Sequence, residues 1–274
     1  MGQFVHLDVH TEYSIHDGIL RLKEAISIAK KDQQLALAIT DHCNIFAWVK
    51  FFQTATKEGI KPLLGAGFSV KSGDNSYQII LFCRNEKGYQ SLLKLISYCY
   101  QNPLREDHPW LYEHELNSDQ LTGLLSISPG RKGLLGLPEE CVSAAVERWN
   151  SWCPDAFYLG IHRLQKKDEQ YVAASVDIAT KMDLPLVALN AARFGEKQDF
   201  RAHEARVCID QGEQLNNPQR EKHYSAEQYM KSQQQMSALF HDLPEAFENT
   251  VEIAKRCNFR IKLDEYYLPH YPTP

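Results

Sequence analysis

Short apolar runs alternate along the chain with longer stretches whose apolar residues recur every three or four positions. Residues 4–9 predict a first strand, followed by a turn at His16-Asp17-Gly18. Leu22, Ala25, Ile26 and Ala29 then share one face of a helix of about three turns. Further strands are expected at 35–39, 62–70, 77–83, 123–128, 156–162 and 185–190. The pair 62–70 and 77–83 reads as a hairpin, because Gly73, Asp74 and Asn75 suit a tight bend. Helical periodicity marks 45–57, 87–100, 138–152 and 167–182, and then 200–210, 226–230 and 245–257. Pro244 stands before the last of these, where its missing N–H costs nothing. Residues 101–119 are polar, carry Pro103 and Pro109, and read as a loop or irregular insertion.

Strands that alternate with helices at this spacing predict an α/β fold with a mainly parallel sheet covered by helices. About seven strand–helix units without a Gly-rich phosphate loop favour a distorted seven-stranded (β/α) barrel with a helical C-terminal part. In such barrels chemistry gathers at the C-terminal ends of the strands. The 274 residues, 43% hydrophobic and 24% charged, can bury a sizeable core and exclude a disordered tail or a disulfide mini-protein. A net charge of -5 argues against a general nucleic-acid coat but leaves room for a local basic groove. No apolar stretch reaches the roughly eighteen residues of a membrane span. His6, Asp8 and His10 interrupt any secretory signal at the start, so no membrane association is expected. The seven cysteines are scattered singly, which fits reduced thiols and a cytoplasmic location. Three prolines within 266–274 make that tail read as a connector to a further domain.

The richest chemistry lies at the first two strand ends. Asp8 and His10, two apart on a strand, face one side, and Asp17 follows after a short turn. The second strand ends Thr40-Asp41-His42. Imidazoles and carboxylates together suit Zn, Mn or Fe, and clustered ions can activate water for phosphoester cleavage. Spacing alone does not choose between that reading and ordinary polar residues closing strand ends. Later strand ends supply few ligands: Gly67, Gln78, Gly130, a single His162, and then Ala191 and Arg193. There is no Gly-x-Ser-x-Gly elbow. The arginines at 193, 201, 206 and 220 interleave with acids, as on a mixed solvated surface.

Several longer motifs carry a family resemblance. FVHLDVHTEYS at 4–14, Asp17-Gly18, AITDH at 38–42, GIKP at 59–62, NEKGY at 85–89, NTVEIAKRC at 249–257 and Tyr267-Leu268-Pro269 are similar to the family of bacterial replicative DNA polymerase III alpha subunits. The stretch they span resembles that family's N-terminal PHP (polymerase and histidinol phosphatase) domain, here 1–270, with 271–274 opening the connector to a polymerase palm. The resemblance implies a distorted barrel whose metal-binding members hold up to three ions. His10, Asp17 and His42 match ligand positions, whereas Asp8 stands for a histidine, Gly67 for a glutamate, Gln78 for a histidine and Gly130 for a cysteine or histidine. Ala191 and Arg193 replace an aspartate and a histidine. These nine positions therefore imply a vestigial site with no catalytic residue and no metal cluster, at most one weak ion at Asp17 and His42. Arg193 is expected to pair with Asp8 or Asp17. The resemblance also implies a scaffold that docks the epsilon proofreading exonuclease and adjoins the rest of the alpha subunit. No cofactor is expected in this chain, Mg belonging to the palm, and DNA would be met only through the parent polymerase. The competing reading is an active metal-dependent phosphoesterase, either a second proofreader or a pyrophosphatase.

Overall fold

The computed structural model describes residues 3–101 and 109–263, so the tail from 264 and the expected connector at 271–274 lie outside the described residues. Seven strands form one sheet: β1 Ala36–Ile39, β2 Lys61–Ser72, β3 Asn75–Cys83, β4 Trp110–Tyr112, β5 Leu124–Pro129, β6 Phe157–His162 and β7 Leu186–Leu189. Around it pack α1 Leu22–Lys31, α2 Trp48–Lys57, α3 Glu86–Gln101, α4 Glu139–Trp152 and α5 Asp168–Met182, followed by α6 Phe200–Gln211, α7 Gln233–Leu239 and α8 Pro244–Arg256. The order across the sheet is β1-β2-β3-β5-β6-β7, with β4 also on β2. Four of the six pairings are parallel, and β3 runs antiparallel to both its neighbours. The sheet is thus mixed because the β2–β3 hairpin reverses the chain once. Gly73 takes φ +58 at that bend, a left-handed conformation that costs glycine little.

Residues 4–9 do not form the regular strand that their apolar run predicts. They are extended and act as a lace between the two edges of the curled sheet. Ala38 N–H donates to His6 O and Thr40 N–H to Val9 O on the β1 side. His10 N–H donates to Ala192 O and Ala192 N–H to Asp8 O on the β7 side. The segment's backbone is therefore shared between two neighbours instead of running as a ladder with either. Its side chains Phe4, Val5, Leu7 and Val9 are all buried.

Two other expectations are corrected. Residues 226–230 are not helical, because their backbone serves the 190–195 segment: Arg193 N–H donates to Gln228 O, Met230 N–H to Phe194 O, and Asn190 Nδ2 to Tyr229 O. The helix begins later at Gln233, where Ser232 and Gln235 exchange side chain-to-backbone bonds in a capping box. Residues 101–119 hold more than a loop. Trp110–Tyr112 pairs in parallel with Ser69–Lys71, and the buried Glu113 beyond it accepts bonds from Ser72 Oγ and Tyr77 OH, both at 2.6 Å. Phe4, Ile161, Val172, Ala188, Met236, Phe240, Ala246 and Phe247 form a second apolar cluster that fastens α7 and α8 to the barrel.

Candidate functional site

The lace, the turn after it and the segment following β7 converge at one end of the barrel. Arg193 is central, only 3% exposed. Its Nη1 donates to Asp8 Oδ1 at 3.1 Å and its Nε to Asp17 Oδ2 at 3.0 Å, so the guanidinium pairs with both acids, not one. Nη1 also donates to Ala192 O at 3.1 Å. On the far oxygens, His10 Nδ1 lies 2.9 Å from Asp17 Oδ1 and His162 Nε2 lies 3.1 Å from Asp8 Oδ2. Carboxylates accept, so each imidazole donates through that nitrogen. The result is a row of alternating partners: His162, Asp8, Arg193, Asp17, His10.

Electrostatics follow from the row. Burial by itself would raise Asp8, but the Arg193 charge and the His162 bond outweigh it and hold the carboxyl below its ordinary range. Burial likewise opposes ionisation of Asp17, and His10 and Arg193 together hold it well below the ordinary range. Burial works against the Arg193 charge, yet Asp17 and Asp8 raise its pKa further. Asp41 differs. It accepts from Thr11 N–H at 2.6 Å and from the Thr11 and Ser14 hydroxyls, and burial raises its pKa against those bonds and the His10 charge. Asp41 therefore fixes the turn that carries Asp17, and Ser14 Oγ in turn accepts from His42 N–H.

The other nominated positions border this row. Gly67 bridges to His42 in parallel, and a Cβ placed on it would lie 3.7 Å from His10 Nε2. Gln78 opposes Ser69 on β2–β3, on the sheet face that also carries Gly67. Gly130 has φ +47, and a Cβ there would come within 2.8 Å of His162 Nδ1, so His162 occupies the space a side chain would need. Ala191 is buried with φ +51, a conformation that Asp tolerates better than Ala.

Three residues join the site without a nomination. Tyr224 OH donates to Asp17 Oδ2 at 3.3 Å, His203 Nε2 donates to Asp17 O at 2.9 Å, and Lys132 lies 4.9 Å from the centre of the Tyr224 ring. Burial, then Arg193, lower the Lys132 pKa. Tyr224 and His203 arrive from the helical part after β7, where periodicity carries no sign of a site. For Lys132 the signal was adjacency to Gly130.

The chain matches the PHP domain family over residues 6–164. It is 41% identical to the DNA polymerase III subunit alpha of Pseudomonas fluorescens over 283 residues, covering 100% of this chain and 24% of that protein. To the same subunit of Escherichia coli strain K12 it is 41% identical over 289 residues, covering 99% and 24%. The chain thus spans about a quarter of the length of these curated relatives. Among solved structures, an amidohydrolase from Chromobacterium violaceum with bound sulfate and no metal is 15% identical, with TM-score 0.51 over 74% of this chain and 96% of that one. That likeness concerns the fold, a curled sheet with helices outside. With the family matched across more than half of its length, the chain belongs to the PHP domain family, in the form found in DNA polymerase III alpha subunits.

Proposed function

We propose that this chain serves as the PHP scaffold of a replicative DNA polymerase III alpha subunit, with a barrel mouth that neither holds a metal cluster nor hydrolyses phosphoesters. The observation that carries this reading is the Arg193 guanidinium bonded to both Asp8 and Asp17. A multinuclear centre needs carboxylate lone pairs turned toward the ions, and bridging carboxylates between them. Here those lone pairs meet N–H donors from Arg193, His10 and His162. Gly67, Gly130 and Ala191 offer no donor atom in their side chains. The residues present therefore do not fit the cluster that metal-binding members of the family hold.

On this reading the row of ion pairs replaces the ions as the tie between the lace, the Asp17 turn and the 190–195 segment. The domain then docks the epsilon proofreading exonuclease and supports the polymerase core. A pull-down with that exonuclease, run beside a phosphodiester hydrolysis assay with added Mn or Zn, tests both halves. Binding without turnover is expected. Turnover that disappears in His10→Ala would overturn the reading.

A further inference from the structure

Helix α5 turns Val172, Ser175 and Ala179 inward, which leaves Ala173, Val176 and Thr180 as a narrow, weakly polar strip on its outer face. Opposite this strip lie the start of β7 and the first turns of α8, and the space between is a groove of about 640 Å³. Past Val176, Thr180 and Leu243 it continues into a second hollow of about 530 Å³. Leu186 and Leu243 pack on the second apolar cluster from beneath and, with Val176 and Leu184, form a half-buried apolar floor. The walls are fixed in place. Asn249 Nδ2 donates to Leu186 O at 2.8 Å, and Arg163 Nη1 donates to Leu239 O and Asp242 Oδ1, both at 2.6 Å.

The charge of the lining is one-sided. The larger part carries Asp183, Asp242 and Glu245 and no base, and the smaller adds Glu169, Asp177 and a single base, Arg163. The whole chain sets 35 acids against 30 bases, so this lining concentrates negative charge well beyond the average. Arg163 is already engaged by Glu169 and Asp242, and Asp177 by Lys181. Asp183 and Glu245 make no ion pair among the described residues. Helix stability accounts for Asp242 and Glu245, which sit at the positive start of α8. It does not account for Asp183. That residue caps the C-terminus of α5, where a negative charge opposes the dipole, and its φ of +52 is one that glycine adopts at less cost.

We propose that the α5–α8 groove receives an amphipathic basic segment of a partner protein. Its apolar side chains rest on Val176, Leu184, Leu186 and Leu243, and a Lys or Arg reaches Asp183 and Glu245. The excess of acids selects this chemistry, because nucleic acids and anionic membranes are repelled by such a lining. An apolar floor with unpartnered carboxylates at its rim suits recognition of a helix by apolar anchors three or four residues apart, with charge setting its orientation. This contact rests neither on the closed barrel mouth nor on the exonuclease docking proposed above, and its test leaves both untouched.

The test uses a labelled leucine–lysine peptide of about four helical turns, its leucines three and four residues apart. Two companion peptides carry glutamate in place of lysine, or serine in place of leucine. Fluorescence anisotropy with the 274-residue chain, at about 0.15 M salt, should show the leucine–lysine peptide bound and both companions at least about tenfold weaker. Asp183→Lys/Glu245→Lys should weaken the leucine–lysine peptide about tenfold and gain affinity for the leucine–glutamate one. Both side chains are exposed, and unchanged circular dichroism would show that the fold is intact. A control variant, Glu147→Lys/Glu221→Lys, reverses exposed acids outside the groove and should bind as the parent does. Absence of binding by the leucine–lysine peptide would overturn the proposal. So would equal binding of the serine–lysine peptide, an equal loss in the control, or a charge-reversed variant that does not exchange its preference. Sedimentation that finds the chain dimeric and the charge-reversed variant monomeric would also overturn it, giving the groove to a second copy.

Discussion

Taking away the Arg193 guanidinium leaves the buried Asp8 and Asp17 carboxylates without their shared cation. Breaking a buried pair in this way costs about 3–5 kcal/mol, so Arg193→Met should lower the urea midpoint strongly. Adding Asp8→Asn and Asp17→Asn to that variant should recover much of the loss, because the stranded charges go with the partner. The pH dependence has a definite sign. Both carboxyls titrate below their unfolded values, so their contribution is fully present above the ordinary carboxylate range near pH 4 and is lost as pH falls through the depressed folded values. Below about pH 4 the urea midpoint should fall more steeply in the parent chain than in Arg193→Met. His6 gives a second window. Burial lowers its pKa to about 4, while its Nε2 donates to Lys231 O at 2.8 Å. Because the folded value lies below the unfolded 6.5, stability is present above pH 6.5 and about 3 kcal/mol drains away down to about pH 4. His6→Gln keeps a donor near Nε2 and should abolish that window in the same titration.

At the scale of elements, the lace at 4–10 closes the barrel through few bonds, so each counts. Thr40 Oγ1 accepts from Val9 N–H at 2.9 Å. Thr40→Val preserves shape and strands that donor, which should cost about 1–3 kcal/mol in a denaturant melt. Elements with their own periodicity were legible in the sequence: α1, with Leu22, Ala25, Ile26 and Ala29 buried together, lies where the spacing places it. Elements defined by a partner were not. The apolar run at 4–9 is identical in appearance to a strand, and only the positions of Ala38 and Ala192 divide its bonds between two edges. Strand β4 is three residues long inside a polar, proline-bearing stretch, and it exists because Ser69–Lys71 offers it an edge. Residues 226–230 have helical spacing, but their carbonyls and N–H groups are claimed by Arg193, Phe194 and Asn190. The site divides in the same way. Asp8, His10, Asp17 and Arg193 stand in or beside motifs that the sequence marks, whereas Tyr224 and His203 reach Asp17 from a segment with no local signature.

For the molecule as a whole, charge pairing at the mouth ties the lace, the Asp17 turn and the 190–195 segment together. No helix among the described residues is long and apolar enough to cross a membrane. At the mouth the proposed reading depends on Arg193 holding Asp8 and Asp17 together. Elemental analysis of the chain, purified without chelator, equilibrated with Mn and Zn and then desalted, tests this most directly. The account predicts no more than a weakly retained, substoichiometric ion. Retention of more than one metal ion per chain, lost in His10→Ala, would contradict it.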